Sequence, residues 1–453
     1  MARIDPTTER TLPDLPWHTD EQVQSLLARS GEAFLKWRHT PMVERARMMH
    51  RAAQVLRDRV ADLALMMTHE MGKPIAAAEA EIEKCADCCE YFAFHSARYL
   101  AEIEIASDAT RSYVRFDPIG GVLAIMPWNF PYWQVFRFAA PALMAGNVGV
   151  LKHAPNVPGC AMAIEDIFLA AGFPPGVFTT LLIDTPAVGA VISHPAIAAV
   201  TLTGSERAGA AVAAQAGAAL KKTVLELGGS DPFIVLPDAD VETTARAAAS
   251  ARTINSGQSC IAAKRFIVVG DSCAFKKHFA QALAHLKIGN PHDRDTKIGP
   301  LARLDLLENL QRQVQESINA GARVVTGGHR LPCKGYFYAP TLLAGVRPGM
   351  AVFDEETFGP VAALIEAKDV DDAIRLANLS PYGLGASVWT KDAATAERMA
   401  ARLDSGCVFI NGAVKSDPRL PFGGVKRSGY GRELSSFGIH EFVNVKTIWA
   451  TDG

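Results

Sequence analysis

Gly121-Val122-Leu123-Ala124-Ile125-Met126-Pro127-Trp128-Asn129-Phe130-Pro131 is where the rhythm of the chain changes. Upstream, apolar residues recur at helical spacing. Val23, Leu26, Leu27, Phe34 and Trp37 form one set; Val55, Leu56, Leu63 and Met66 form a second, which Gly72 and Pro74 bring to a stop. From Gly121 onward, short apolar runs alternate with Ala-rich helical stretches. Strands are predicted at 122–126, 148–152, 177–183, 198–203 and 223–225, with helices at 162–171 and 207–219 between them. This alternation predicts a largely parallel sheet covered by helices on both faces. Such sheets bind ligands beyond the carboxyl ends of their strands, and the Pro127–Pro131 turn lies at one of those ends.

A second α/β section is predicted from about Ser230. Its strands are 233–236, 266–269, 323–325, 362–365, 387–390 and 408–411, with helices at 241–254 and 274–286. No repeat or low-complexity linker separates the two sections. Two polar-apolar alternating stretches, 107–118 and 441–452, read as edge strands.

Composition narrows the function. At 453 residues and 49% apolar content the chain can bury a large core and divides into at least two domains. Its 46 basic and 48 acidic residues leave a net charge of −2, which gives no reason to expect a nucleic-acid partner. Met1-Ala2-Arg3-Ile4-Asp5-Pro6 is polar, and no apolar run approaches the roughly 20 residues that span a bilayer, so no membrane association is expected and the cytoplasm is the expected compartment. The eight cysteines are scattered. Only Cys85, Cys88 and Cys89 cluster, at a spacing that shares one helix face, and no second Cys or His pair follows to complete a metal site.

Cys260 is different. It ends Asn255-Ser256-Gly257-Gln258-Ser259-Cys260, a turn and not an apolar helix face, and Glu226 lies upstream in Glu226-Leu227-Gly228-Gly229. A thiol, a carboxylate and the amide of Asn129, each in a Gly- or Pro-punctuated turn, are the parts that acyl chemistry needs. The thiol attacks a carbonyl. Asn129 and the Cys260 N–H stabilise the oxyanion, and Glu226 activates water to release the acyl group. Collapse of the tetrahedral species must expel hydride, so a nicotinamide acceptor, NAD or NADP, is expected. Gly204 and Ser205, in Thr203-Gly204-Ser205, open a helix after an apolar strand and can present N–H groups to a phosphate. Lys152, at its strand end, can reach the adenosine ribose.

These segments together resemble the aldehyde dehydrogenase superfamily from about Glu21 to the C-terminus. Leu151-Lys152-His153-Ala154-Pro155-Asn156, Glu226–Val235 and Pro421-Phe422-Gly423-Gly424-Val425-Lys426-Arg427-Ser428-Gly429 add to the match, which is densest with the semialdehyde-oxidising members that use either cofactor. The resemblance implies two doubly wound α/β domains plus a small β oligomerisation segment. The dinucleotide-binding domain would be 1–106 and 119–226, the catalytic domain 227–436, and the segment 107–118 with 437–453, giving a homodimer or homotetramer. It implies that Trp128 contacts the pyrophosphate, Leu227 lies along the nicotinamide, Glu356 holds the nicotinamide ribose and Phe358 packs on the ring. Met126, His153, Ala154 and Pro155 join Lys152 around the cofactor. Glu226 implies a free acid product, since acylating members lack that base. The implied substrate is succinate semialdehyde, with Arg137 on its distal carboxylate and Ser416 adding a hydroxyl. Some members place a second Arg where Ile254 stands here. Pro155 replaces the Glu that holds the ribose hydroxyls in strictly NAD-using members, so both cofactors should be accepted. Another semialdehyde or aliphatic aldehyde is the neighbouring alternative. A cofactor-independent cysteine hydrolase or acyltransferase would need a base such as His near the thiol, and none lies in these three motifs. A catalytically inert protein on the same fold would not need all three groups.

Overall fold

The computed structural model describes residues 3–13 and 15–452. Four helices come first: Asp20–Trp37, Met42–Asp58, Val60–Met71 and Ile75–Tyr99. The first opens with a capping box between Thr19 and Gln22. The third ends on Gly72 at φ 76, a left-handed position that suits glycine. The fourth buries Cys85, Cys88 and Cys89 along its inner face, so the cysteine cluster is a packing surface.

The first large sheet has the spatial order Gly429–Tyr430, Lys222–Glu226, Ile197–Thr203, Gly121–Met126, Val148–His153, Phe178–Thr180. All neighbours but the first pair are parallel. The chain builds outward from Gly121–Met126 in one direction, then returns to place Ile197–Thr203 on that strand's other side. That reversal opens a crevice beyond Met126 and Thr203, the topological switch point at which open α/β sheets bind ligands.

The second sheet runs Arg323–Thr326, Thr341–Ala344, Val361–Ala367, Arg265–Val269, Pro232–Val235, Gly385–Trp389, Cys407–Ile410, parallel except for its first, edge strand. Thr341–Ala344 is a strand that the sequence pattern did not mark, being four apolar-rich residues in an apolar neighbourhood. A third, antiparallel sheet joins Ile103–Glu104, Arg111–Pro118 and Val443–Ala450, the last two paired from Pro118↔Val443 to Arg111↔Ala450. The two alternating stretches read as edge strands thus find each other across the whole chain.

One segment sits differently from the expected partition. The expected catalytic domain runs from 227 to 436, and within it Gly429–Tyr430 adds to the edge of the first sheet, with Gly429 opposite Glu226. Gly429 has φ 111, and a Cβ there would lie 2.0 Å from the Leu225 carbonyl oxygen. Only glycine allows this approach. Among the described residues no helix is long and apolar enough to cross a membrane.

Candidate active site

Between the two large sheets lies a cavity of about 400 Å³ lined by Trp128, Thr203, Ser205, Leu227, Cys260 and Glu356 among others. Trp128, Thr203, Ser205 and Leu227 lie at or just beyond strand ends of the first sheet, and Cys260 and Glu356 in loops that precede strands of the second. Among the described residues no histidine lines it. The turn that carries Asn129 leads into the helix Trp133–Met144, whose first N–H groups need partners. Glu81, from the fourth helix, supplies them: its Oε1 accepts from Tyr132 N at 2.9 Å and Trp133 N at 3.0 Å. Glu81 is also ion-paired with the buried Lys73.

The thiol loop is held by strain and by amides. Asn255 and Ser256 have φ 52 and 57, both left-handed, and the loop keeps this shape because the surroundings fix it. Asn255 Nδ2 donates to the Asn129 carbonyl at 2.7 Å and to the Gln258 carbonyl at 3.1 Å. Asn129 Nδ2 donates to the same Gln258 oxygen at 3.0 Å, and its Oδ1 accepts from Gln134 Nε2 at 3.1 Å. One amide hydrogen of Asn129 remains for an oxyanion. Lys264 ties the loop from below, donating to the carbonyls of Ser259 (3.0 Å), Cys260 (2.8 Å) and Ala262 (3.1 Å). Gly229 lets the loop come this close, since a Cβ there would lie 2.6 Å from the Cys260 oxygen.

Burial sets the electrostatics. It pushes the Cys260 thiol up to about 12, against the pull of Arg137 and Lys264. Glu226 closes its strand with only 2% of its surface exposed, and neither carboxylate oxygen has a hydrogen-bond partner among the described residues. Desolvation raises it to about 8, with Arg137 opposing and Glu433 reinforcing the shift. A carboxyl in this state is poised to take up and release protons near neutrality.

The remaining residues singled out in the sequence sort by position. Glu356 accepts from Gly229 N at 3.0 Å with Oε1, and a Cβ on Gly228 would lie 2.7 Å from its Oε2. Trp128 and Phe358 meet edge to face at 5.8 Å on the cavity wall. Leu227 packs where Gly209 leaves room. Ser205 caps the helix Glu206–Ala218 by accepting from Ala208 N at 3.3 Å, beside Gly204 in the cavity wall. Met126 and Lys152 are buried, Ala154 half-buried, and Pro155 exposed. His153 turns inward: its Nε2 lies 2.9 Å from the Pro131 carbonyl, and burial lowers it to about 4, so the ring stays neutral. The positive charge foreseen on this loop therefore rests on Lys152 alone.

Arg137 is committed inside the protein. It is ion-paired with the buried Glu433, and its Nη2 donates to Thr203 Oγ1 at 3.1 Å. Its Nη1 donates to no side chain or carbonyl among the described residues, so part of the guanidinium stays open to a carboxylate. Ser416 Oγ accepts from Trp133 Nε1 and from Lys84 Nζ, each at 2.9 Å. Asn255, Lys264, Glu81, Glu433 and Lys84 were not anticipated. Each acts across more than a hundred residues of sequence or through backbone atoms, so no local motif announces it.

The cavity suits a dinucleotide. It sits at the switch point, a helix N-terminus opens into it, aromatic and aliphatic walls flank Cys260, and Glu356 offers a carboxylate to hydroxyl groups. The chain belongs to the aldehyde dehydrogenase family, whose pattern it matches over residues 1–448. Among its relatives is a probable succinate-semialdehyde dehydrogenase [NADP(+)] of Synechocystis, 49% identical over 450 residues and 99% of both chains. The succinate semialdehyde dehydrogenase [NAD(P)+] Sad of Escherichia coli is 49% identical over 98% of this chain and 97% of its own. A solved succinic semialdehyde dehydrogenase of Streptococcus pyogenes, in complex with NADP+, superposes with a TM-score of 0.97 at 37% identity, covering 100% of both chains.

A thiol pushed far upward should react slowly in the cofactor-free protein. Alkylation of Cys260 by iodoacetamide, followed by peptide mass spectrometry, is expected to accelerate nearly tenfold per pH unit from 7 to 9 without a plateau. A plateau below pH 8 would show an already ionised thiol.

Proposed function

We propose that this enzyme oxidises succinate semialdehyde to succinate with NAD or NADP. The observation that carries the reading is that Cys260 and Asn129 line one cavity, with the unpartnered, buried Glu226 next in sequence to Leu227 of its wall. The printed activities of the relatives support the substrate.

Cys260 attacks the aldehyde carbon, forming a thiohemiacetal. Asn129 Nδ2 and the Cys260 N–H face the oxygen that gains charge, and removing one such donor costs about 10²–10³ in rate. The nicotinamide cofactor supplies the hydride acceptor when bound. Trp128, Gly204, Ser205 and Leu227 would line its cleft, Glu356 would hold the nicotinamide ribose and Phe358 would pack on the ring. Met126, Lys152, His153, Ala154 and Pro155 would hold the adenosine end, His153 by shape, since burial keeps its ring neutral. Glu226 then takes a proton from water as that water attacks the thioester. Because burial holds Glu226 protonated below about pH 8, the base form gains population as pH rises. Arg137 bears on the reaction through charge: it favours both the Cys260 thiolate and the Glu226 carboxylate.

We read the small antiparallel sheet, which exposes Ile103, Ile105, Val445 and Trp449, as the surface on which copies pair into a homodimer or homotetramer. Eight free thiols fit a reducing, cytoplasmic setting.

The direct test of the substrate is a panel of aldehydes assayed with both cofactors. Succinate semialdehyde should give the highest kcat/KM, and a higher value for an uncharged aldehyde of similar length would reject it.

Glu226→Gln is expected to leave a single, near-stoichiometric burst of reduced cofactor followed by slow turnover. The rise of the steady rate between about pH 7 and 9 should vanish with it. Stopped-flow absorbance separates the phases, and a lost burst with normal later turnover would contradict the role.

For cofactor choice, kcat/KM for NAD and NADP should differ by less than about a hundredfold, about 2.7 kcal/mol. Pro155→Glu should weaken NADP selectively, because a carboxylate a few ångströms from a 2′-phosphate costs about a kilocalorie or more near a surface. An unchanged preference would place the choice elsewhere.

A further inference from the structure

We infer that Gln134 is a positioning residue for the reaction, because it fixes which end of the Asn129 amide is turned toward the thiol loop; this rests on Asn129 serving as the oxyanion donor and deepens that role.

Gln134 is the second residue of the helix Trp133–Met144, every residue of which is buried. Only 2% of its surface is exposed, and it lines the cavity together with Asn129 and Cys260. Burying a primary amide is costly unless the amide is hydrogen-bonded. Among the described residues its side chain makes one hydrogen bond, from Nε2 to Asn129 Oδ1 at 3.1 Å, and its own Oε1 has no partner. Gln134 is held in turn by the switch-point segment. Its N–H donates to the Phe130 carbonyl at 3.2 Å, and Glu81 accepts from the two N–H groups just before it, those of Tyr132 and Trp133.

The Asn129 amide has a donor at one end and an acceptor of nearly the same size at the other, so it can be seated in two ways. With Nδ2 toward the thiol loop it can donate to an oxyanion; with Oδ1 there it would repel one. Nδ2 donates to the Gln258 carbonyl at 3.0 Å, which favours the first seating. That bond does not decide the matter by itself. The same carbonyl also accepts from Asn255 Nδ2 at 3.1 Å, so it would keep a partner if Asn129 turned over. Asn129 Oδ1 has only Gln134 as a donor among the described residues. The two contacts therefore lock the seating together: the Gln258 carbonyl admits only a donor, and Gln134 supplies the donor that the other end needs. Without Gln134, Asn129 Oδ1 is a buried acceptor with no partner, and the side chain gains by turning away.

The test is a double-mutant cycle on kcat/KM with Gln134→Met, Asn129→Ala and the double variant. It is run with NADP on both succinate semialdehyde and butanal, so it does not depend on which aldehyde is preferred. Asn129→Ala should lose about 10²–10³. Gln134→Met should lose about ten- to a hundredfold when Asn129 is present, and less than about twofold when residue 129 is already Ala. Gln134→Leu removes the same donor and serves if the Met variant does not fold, which thermal unfolding monitors. A merely structural role predicts the same loss with or without Asn129, so additive losses would overturn the assignment. A folded Gln134→Met enzyme with parental activity would do the same. A parent that oxidises neither aldehyde, or an Asn129→Ala variant as active as the parent, would overturn the underlying reading and this inference together.

Discussion

The Asn255 amide donates to two carbonyls at once, that of Asn129 and that of Gln258, and the geometry of the site depends on this pair of bonds. They join a turn at the end of one sheet to a loop that belongs to the other. Without them, the Asn129 side chain and the Cys260 thiol would be carried by two bodies free to shift by the ångström or more that costs an enzyme its rate. The price is local strain, with Asn255 and Ser256 held left-handed. Such strain persists only where the surroundings impose it. Here Lys264 supplies three bonds to the loop's carbonyls, and Gly257 packs so closely that a Cβ would lie 2.3 Å from the Gly359 carbonyl carbon.

The second constraint is charge in a dry place. Cys260, Glu226, Arg137, Glu433 and Lys84 influence one another across a region from which most water is excluded. Desolvation is the largest cause of the upward shifts at Cys260, Glu226 and Glu433 and of the downward shift at Lys84. Two of these shifts oppose the simplest picture of a reactive thiol and a ready base. Burial thus pushes both groups toward their protonated forms. Arg137 counters desolvation at both Cys260 and Glu226. Its pairing with Glu433 helps to hold it in place.

Small residues appear where backbone must pass close. Gly229 admits the Cys260 carbonyl, Gly228 the Glu356 carboxylate, and Gly429 the Leu225 carbonyl. The last of these returns the C-terminal segment to the edge of the first sheet beside Glu226. The strand that carries Glu226 is thereby sandwiched and its carboxylate shut away from bulk water. The upward shift of Glu226 is a consequence of that topology.

The sequence by itself determined the alternating strand and helix pattern, the switch-point turn at Pro127–Pro131 and the positions of Cys260, Glu226 and Asn129. Those features are written locally: apolar periodicity reports which face a segment buries, and Gly or Pro reports where a backbone turns. The tertiary structure alone decided that His153 faces Pro131 and stays neutral, that Arg137 is taken by Glu433, and that Lys84 sits on Trp133 beside Ser416. The partners in these contacts lie between 22 and 332 residues apart. A charged side chain's role is set by the partner and the dielectric it meets, and neither can be read from its neighbours along the chain.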